Sequence, residues 1–309
     1  MRLGALIITT GLSPVSGVEV LLNPAGTISA GQRMISAFQT VGVSTTGLVV
    51  EAENKKLERQ LVHNGVIFLR CAENPSDFFQ GIRRGLSFMA DQFDRLFLVP
   101  GDTSLFLPDT LTALLQSDAD VAQPEYGHVQ GFPLLLSRRA MERILAQPDW
   151  DSALDALHAS PLTIQSIPVN DAGILLHGAD MTHRKTLIQR HNNQLARPVI
   201  QVALRSCNTI CDAQLSMLLH LVECTGSVRD ACSLMQMSYS SAWNLLNQVE
   251  DELGFPLVTR LRGGSVGSGS ILTEKGRRLL ESYDRFTGEL DQITKDLYRK
   301  YFTKFFVSK

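Results

Sequence analysis

The sequence is poor in cysteine and in long apolar runs, and both shortages limit what it can be. Its 309 residues include five cysteines, an odd number without a regular framework, which is typical of a reducing compartment. The apolar run from Met1 to Thr10 is too short to span a membrane and has no signal-peptide cleavage site. We therefore expect a cytoplasmic protein without a membrane segment.

Metal-ligand patterns and an excess of one charge are also missing. Cys207 and Cys211 lie four residues apart, but no His/Cys cluster adjoins them, which favours buried or incidental thiols over a metal pair. The histidines, His191 among them, are scattered without ligand spacing. The formal net charge of -2 excludes a chain that is basic throughout. The length and an apolar content of 44% are typical of two globular domains.

The most informative stretch is residues 212–276, which predicts a winged helix-turn-helix. Apolar spacing and capping residues predict helices at Asp212–Cys224, Val228–Met235 and Tyr239–Leu253. The third helix has an apolar stripe, and the polar side chains beside it suit base edges in a major groove. The candidate DNA-contacting residues of this helix are Ser238, Tyr239, Ser240, Trp243, Asn244 and Asn247.

A glycine-rich hairpin follows the third helix. Phe255–Arg260 reads as a turn into a strand, Arg262–Ser270 as its tip, and Ile271–Leu272 as the returning strand. Glycine allows close approach to a phosphate backbone and arginine supplies charge. The candidate contacts of this wing are Arg260, Arg262, Gly263 and Gly264.

Five short runs of this stretch resemble the DNA-binding domain of ModE-type molybdate-responsive regulators, relatives of the LysR-type winged helices. The runs are Gly226–Val228, Met237–Trp243, Pro256–Arg260, Gly263–Gly264 and Leu272–Gly276. The resemblance implies binding to double-stranded DNA. ModE-type proteins carry this domain first and a molybdate-binding domain after it. Here the domain comes last, and nothing in the sequence resembles that second domain.

The N-terminal half alternates short apolar strands with amphipathic helices. Leu3–Thr10, Thr46–Val50, Val66–Leu69 and Arg95–Val99 read as strands; Ser29–Val41, Lys55–His63 and Pro75–Asp91 read as helices. This alternation predicts an α/β domain with a doubly wound, mostly parallel sheet of the Rossmann type. Ligands of such sheets bind at the carboxyl ends of the strands, here the loops Thr9–Gly17 and Gly101–Leu105.

The same half resembles MobA-like nucleotidyltransferases, the molybdopterin cytidylyl- and guanylyltransferases among them. The matching segments are Gly4–Ser13, Val99–Asp102 with Pro108–Leu111, Tyr126–Arg138, and Asn170–Leu175, which resembles a late strand. The resemblance implies Mg²⁺ with a nucleotide or a molybdopterin-type ligand. It implies binding by Thr9, Thr10, Gly11, Ser13, Gly101 and Asp102, with Asp102 and Asp180 as metal ligands.

One departure from that family concerns its chemistry. The family has an Arg and a Lys after the Ser of the first loop, whereas Leu12–Glu19 contains neither, and Arg33 is the next basic residue. Nucleotidyl transfer needs cations against the developing charge. We favour a degenerate domain that senses a small-molecule effector; a working transferase is the alternative. Asp102 has a structural interpretation too, as a strand-end residue capping the turn at Ser104–Leu105.

We expect three parts: residues 1–196 as the nucleotidyltransferase-like domain, 197–211 as a linker, and 212–309 as the winged helix with a long dimerisation helix. Within the linker, Val199–Leu204 reads as an extra strand or a connecting segment. The tail helix, predicted for Glu274–Tyr301, carries an apolar heptad seam of Leu279, Tyr283, Phe286, Leu290, Ile293 and Leu297. We favour a homodimer over packing of this seam against the N-terminal domain.

These expectations combine into a DNA-binding transcriptional regulator linked to molybdenum cofactor metabolism. An active Mg²⁺-dependent transferase with an accessory winged helix is the alternative. A third interpretation gives the winged helix a protein partner instead of DNA.

Overall fold

The computed structural model describes residues 1–11, 21–22, 24–25, 27–50, 55–61, 65–71, 78–146, 157, 161–176, 185–261 and 269–306. These residues fall into two compact units, Met1–Ala196 and Arg197–Lys309. Among the described helices, none has the length and apolar character needed to cross a bilayer.

The first unit is built on a mostly parallel sheet, which confirms the predicted fold class. Its strands are β1 Leu3–Ile8, β4 Thr45–Val50, β5 Val66–Arg70, β6 Arg95–Pro100, β7 Val121–Tyr126, β8 Val129–Gln130, β9 Leu134–Ser137 and β10 Ile164–Pro168; a separate small hairpin pairs β2 Pro24–Ala25 with β3 Ile28–Ser29. β1 pairs in parallel with β4 and β6, β4 pairs in parallel with β5, and β7 with β10. β9 runs antiparallel between β6 and β7, and β8 pairs with β7. The strand order is therefore β10-β7-β9-β6-β1-β4-β5.

Helices cover both faces of this sheet, because β1 is apolar on both. The helices are α1 Ala30–Thr40, α2 Lys55–Leu61, α3 Phe78–Met89, α4 Pro108–Leu115, α5 Arg138–Leu145 and α6 Lys185–Gln194. Ala5 and Ile7 lie in one core cluster with residues of α1 and α4. Leu6 faces the other way, against Gly85 of α3, where an added Cβ would lie 2.4 Å from a Leu6 methyl carbon.

The late strand is not where the resemblance predicted it. Asn170–Leu175 was expected as a strand, but the strand is β10, and Ala172–Leu175 forms a 3₁₀ turn. The Asp171 carboxylate accepts from Gly173 N at 2.9 Å and closes that turn. Gly173 also lies so close to the backbone of Leu105 that an added Cβ would be 2.0 Å from its oxygen.

The second unit has the three helices predicted for the winged helix-turn-helix. They are α7 Ala213–Thr225, α8 Val228–Met235 and α9 Tyr239–Leu253. Asp212, Ser227 and Ser238 cap their N-termini by accepting a backbone N–H. Gly226 and Gly254 end α7 and α9 with left-handed backbones, at φ of 65° and 72°. The wing strands are β13 Val258–Leu261 and β14 Gly269–Leu272, and α10 spans Glu274–Phe306.

The segment that joins the units contains a hairpin of β11 Ala203–Arg205 and β12 Thr209–Asp212. The Glu252 carboxylate at the end of α9 accepts from Cys207 N at 3.1 Å, Asn208 Nδ2 at 3.0 Å and the Ser206 hydroxyl. These hydrogen bonds, led by the one from Ser206, lower the pKa of Glu252. The Tyr283 hydroxyl of α10 donates to the carbonyl of Val202 at 2.8 Å. The hairpin is thus tied to both α9 and α10.

Candidate functional site

The third helix of the second unit separates its apolar and polar faces clearly. Ala242, Leu246 and Val249 are buried in the core of the unit. Ser240, Asn244 and Asn247 are exposed on the other side of the helix. Ser238 lies at the start of the helix, where its Oγ accepts from Ser241 N at 3.0 Å. The helix therefore presents a polar surface to an outside partner.

An aromatic pair on α9 connects arginines from two other elements. The Tyr239 and Trp243 rings meet edge to face, with centroids 6.1 Å apart. Arg260 of β13 stacks over Trp243, its Cζ 3.9 Å from the ring centroid. Arg229 of α8 lies over Tyr239, with its Cζ at 5.7 Å. These residues form a continuous row, Arg229–Tyr239–Trp243–Arg260, across the polar side of the unit.

The two arginines at the ends of this row differ from other basic residues nearby. Arg277 is ion-paired with Glu223 at 2.7 Å, and Arg278 with Glu274 at 2.6 Å. Arg229 and Arg260 are exposed, and within the described part of the chain no carboxylate lies within ion-pair distance of either. Their positive charge is therefore available to an anion from outside.

The sequence predicted only part of this surface. Arg229 was not predicted. It is the second residue of a helix capped by Ser227, and helix N-termini attract anions, so its position could have indicated a phosphate contact. Arg262, Gly263 and Gly264, the predicted contacts at the tip of the wing, lie outside the described residues.

In the first unit, the described residues among the predicted ligands, Thr9, Thr10, Gly11, Gly101 and Asp102, lie at the carboxyl ends of β1 and β6. Gly101 N donates to the carbonyl of Ile8 at 2.7 Å, and a Cβ at Gly101 would lie 3.2 Å from a Thr9 methyl carbon. Gly11 has the left-handed φ of 67°. Asp102 is partly exposed at this edge. Ser13 and Asp180 lie outside the described residues.

The two threonines of that loop are buried. Thr9 Oγ1 donates to the carbonyl of Val49 at 2.7 Å. Thr10 is 1% exposed, and its hydroxyl lies against Gly81 of α3, where an added Cβ would be 2.0 Å away. Their side chains thus support the loop, and any ligand there would meet backbone groups instead.

A buried polar cluster next to this edge was not predicted. The Asp171 carboxylate accepts from Leu107 N at 2.6 Å and from Thr110 Oγ1 at 2.7 Å, as well as from Gly173 N. His191 of α6, 1% exposed, has its Nε2 3.8 Å from Asp171 Oδ1. The cluster connects the segment after Asp102 to the last helix of the unit. These residues are far apart in sequence, which explains why no local pattern indicated it.

Arg33, the first basic residue after Leu12–Glu19, points into the protein. It is 1% exposed, and its Nη2 donates to Asn192 Oδ1 of α6 at 2.5 Å. Burial lowers the pKa of Arg33 to about 10. This cation contributes to packing between α1 and α6.

The cysteines do not assemble a metal site in the described part of the chain, where no group of three potential ligands occurs. Cys211 is buried while Cys207 is exposed at the hairpin tip. Burial, followed by the nearby Asp212 and Asp284 carboxylates, raises the pKa of the Cys211 thiol to about 12.

Comparison with known families accounts for both units. Residues 10–161 match the model of the MobA-like NTP transferase domain, and residues 213–277 match the lysR family of bacterial regulatory helix-turn-helix proteins. The chain therefore carries a MobA-like domain followed by a LysR-type helix-turn-helix domain.

Two ModE proteins are among the individual relatives. The molybdenum transport protein ModE of Azotobacter vinelandii is 32% identical over 88 residues, which are 25% of this chain and 33% of that protein. The DNA-binding transcriptional dual regulator ModE of Escherichia coli K12 is 35% identical over 71 residues, 23% of this chain and 27% of that protein. The chain thus spans a third or less of the ModE proteins it matches.

The crystal structure of Rv0371c from Mycobacterium tuberculosis H37Rv is similar in fold. It matches with a TM-score of 0.50 at 14% identity, covering 61% of this chain and 98% of that one. At this identity the similarity concerns the fold alone.

Proposed function

We propose that the protein is a transcriptional regulator that binds double-stranded DNA through its helix-turn-helix domain. The observation that carries this proposal is the exposed polar face of α9 with two arginines, Arg229 and Arg260, that have no carboxylate partner in the described residues. A duplex major groove admits one helix, and free guanidinium groups suit the phosphates beside it.

In this proposal the contacts divide by chemistry. Ser238, Ser240, Asn244 and Asn247 have the hydroxyl and amide groups that hydrogen-bond base edges. The wing contacts the backbone through Arg260, Arg262, Gly263 and Gly264, with Tyr239 and Trp243 between wing and helix.

The MobA-like domain is, in the same proposal, a sensor that does not turn over. The Asp102 carboxylate is suited to bind Mg²⁺ as an oxygen ligand, and Asp180 is the proposed second ligand. A nucleotide or molybdopterin-type ligand would meet the loop of Thr9, Thr10, Gly11 and Ser13 and the backbone at Gly101.

Residues 12–19 contain no Lys or Arg, and Arg33 is buried against Asn192. Nucleotidyl transfer needs cations near the phosphates, and neither residues 12–19 nor Arg33 supplies one there. This supports binding without catalysis. The effector is proposed to belong to molybdenum cofactor metabolism.

Gel-shift titration of the full chain against the upstream region of its own operon tests the regulator proposal. We expect a sequence-selective complex whose affinity falls steeply with salt. Equal binding to unrelated DNA at low salt, or none, contradicts it.

The partly exposed carboxylate of Asp102 keeps one enzymatic alternative open to experiment. If the domain is an active cytidylyl- or guanylyltransferase, it should release pyrophosphate from CTP or GTP in the presence of molybdopterin and Mg²⁺. That release should disappear in Asp102→Asn.

We further propose that α10 pairs two copies of the chain. Phe286, Ile293 and Leu297 lie on one heptad seam and are 46%, 55% and 50% exposed within the chain, whereas Tyr283, earlier on the seam, is buried within the unit. The helix has 33 residues, about 50 Å, and these three exposed side chains lie beyond Tyr283 along it. A dimer would read two half-sites.

The double change Ile293→Glu with Leu297→Glu is expected to convert the dimer to a monomer. Two unpaired carboxylates in an apolar seam raise the dimer dissociation constant by at least about 100-fold. Sedimentation velocity measures this. Gln292→Glu, an added charge outside the seam, should leave the dimer intact; a dimer that survives the double change rules out this seam.

A further inference from the structure

We infer that Trp243 is a positioning residue that holds Arg260 ready for a phosphate and does not itself read a base. The inference rests on the proposed DNA binding. It changes the role expected of Trp243, which the sequence placed among the contacts of the polar helix face.

The surfaces of Trp243 are largely occupied within the unit. The Arg260 guanidinium lies over the ring, Cζ to centroid 3.9 Å, and Tyr239 meets the ring edge to face. The indole Nε1 is buried and finds no hydrogen-bond acceptor among the described residues. The N–H is the only hydrogen-bonding group of an indole, so an indole with a buried N–H and a covered face cannot readily hydrogen-bond a base edge. Ser240, Asn244 and Asn247, in contrast, are exposed.

The stack leaves Arg260 suited to phosphate. A guanidinium held over an aromatic face can still donate its N–H groups to an anion. Arg260 sits in β13 opposite Ser270 of β14, so its backbone is held by the wing sheet. Holding the long side chain in one place before binding reduces the entropy lost when a phosphate is contacted.

Tyr239 extends the same arrangement to a second arginine. Its ring contacts Trp243 on one side and lies under Arg229 of α8 on the other. The aromatic pair therefore contacts one cation from the wing and one from the preceding helix. Both cations serve affinity and register, since phosphate contacts carry no base information.

Fluorescence-polarisation titration of the full chain with a specific and an unrelated duplex, at several salt concentrations, tests this role. Arg260→Ala should weaken binding to both duplexes and reduce the salt slope by about one. Trp243→Leu should weaken both about fivefold, the scale of one cation–π contact, while the salt slope stays near the wild-type value because the charge remains. Trp243→Phe should recover most of the affinity, since a ring is restored.

The double variant decides between positioning and direct contact. If Trp243 acts through Arg260, Trp243→Leu adds nothing on top of Arg260→Ala. Independent, multiplying losses overturn the inference, as does a Trp243→Leu variant with a changed base preference. Arg278→Ala, which removes an equal charge from an ion pair, is the matched control and should not couple to Trp243. If the wild-type chain shows no selective DNA binding, the proposed function fails first, and the inference fails with it.

A second readout needs no DNA. In a Trp150→Phe chain, Trp243 is the sole tryptophan. Arg260→Ala should alter its emission, because the cation over the ring is removed, while Arg278→Ala should not. Identical spectra for wild type and Arg260→Ala contradict the stack, whatever the DNA result.

Discussion

Replacing Asp171 with alanine is expected to lower the free energy of unfolding of the MobA-like domain by about 3–5 kcal/mol. The carboxylate is buried and accepts from two backbone N–H groups and the Thr110 hydroxyl. Its removal leaves these donors buried and unsatisfied, at about 1–3 kcal/mol each before relaxation. Chemical denaturation of the full chain, with hydrogen exchange to assign the affected unit, measures the loss.

Thr110→Val is the matched control for that change. It removes one donor and keeps the carboxylate bonded to Leu107 N and Gly173 N, so we expect a loss of about 1 kcal/mol. Similar losses for the two variants would mean that the backbone donors find water, and the cluster would then contribute little. Hydrogen exchange in the helix-turn-helix domain should stay unchanged in both.

Gly276→Ala is expected to destabilise the helix-turn-helix domain by about 1–3 kcal/mol, the usual range of overpacking in a close-packed site. A Cβ at this position would lie 2.3 Å from the carbonyl oxygen of Leu257. Because that obstacle is backbone, the start of α10 and the strand β13 must separate. The wing carries Arg260, so the same variant should also weaken DNA binding. Thermal unfolding and the gel shift measure the two effects.

Gly288→Ala tests whether the effect comes from this contact. Gly288 lies in the middle of the same helix with no neighbouring atom within 4 Å of an added Cβ, and outside the apolar seam. Alanine is the better helix former there, so the free energy of unfolding should rise by about 0.5–1 kcal/mol. If both variants lose stability, the helix tolerates no substitution at either glycine. The loss at Gly276 would then not report a specific contact with Leu257.

The sequence predicted the elements of the helix-turn-helix domain closely because their signals are local. Asp212, Ser227 and Ser238 precede the helices, and Gly226 and Gly254 follow two of them; all five serve as caps in the structure. Such caps depend on residues within one turn, so a single sequence is enough to find them.

Long-range arrangements could not be predicted in the same way. The antiparallel position of β9 between β6 and β7 follows from packing and has no local pattern. The segment of Ala172–Leu175 has apolar residues typical of a strand, and the turn closed by Asp171 decides otherwise.

The candidate site shows the same division. Exposure of Asn244 and Asn247 followed from helical periodicity, since a single helix determines which residues share a face. The stacking of Arg260 on Trp243 joins two elements across a turn. The contact between Asp171 and His191 likewise depends on how α6 packs.

The hairpin of β11 and β12 has a practical consequence for dissecting the protein. A fragment that starts at Asp212 would lack the three donors that the Glu252 carboxylate binds and the Val202 carbonyl that accepts from Tyr283. It would also lose Cys211, a fully buried side chain. An isolated helix-turn-helix fragment should therefore begin at Arg197, so that these contacts to α9 and α10 are preserved.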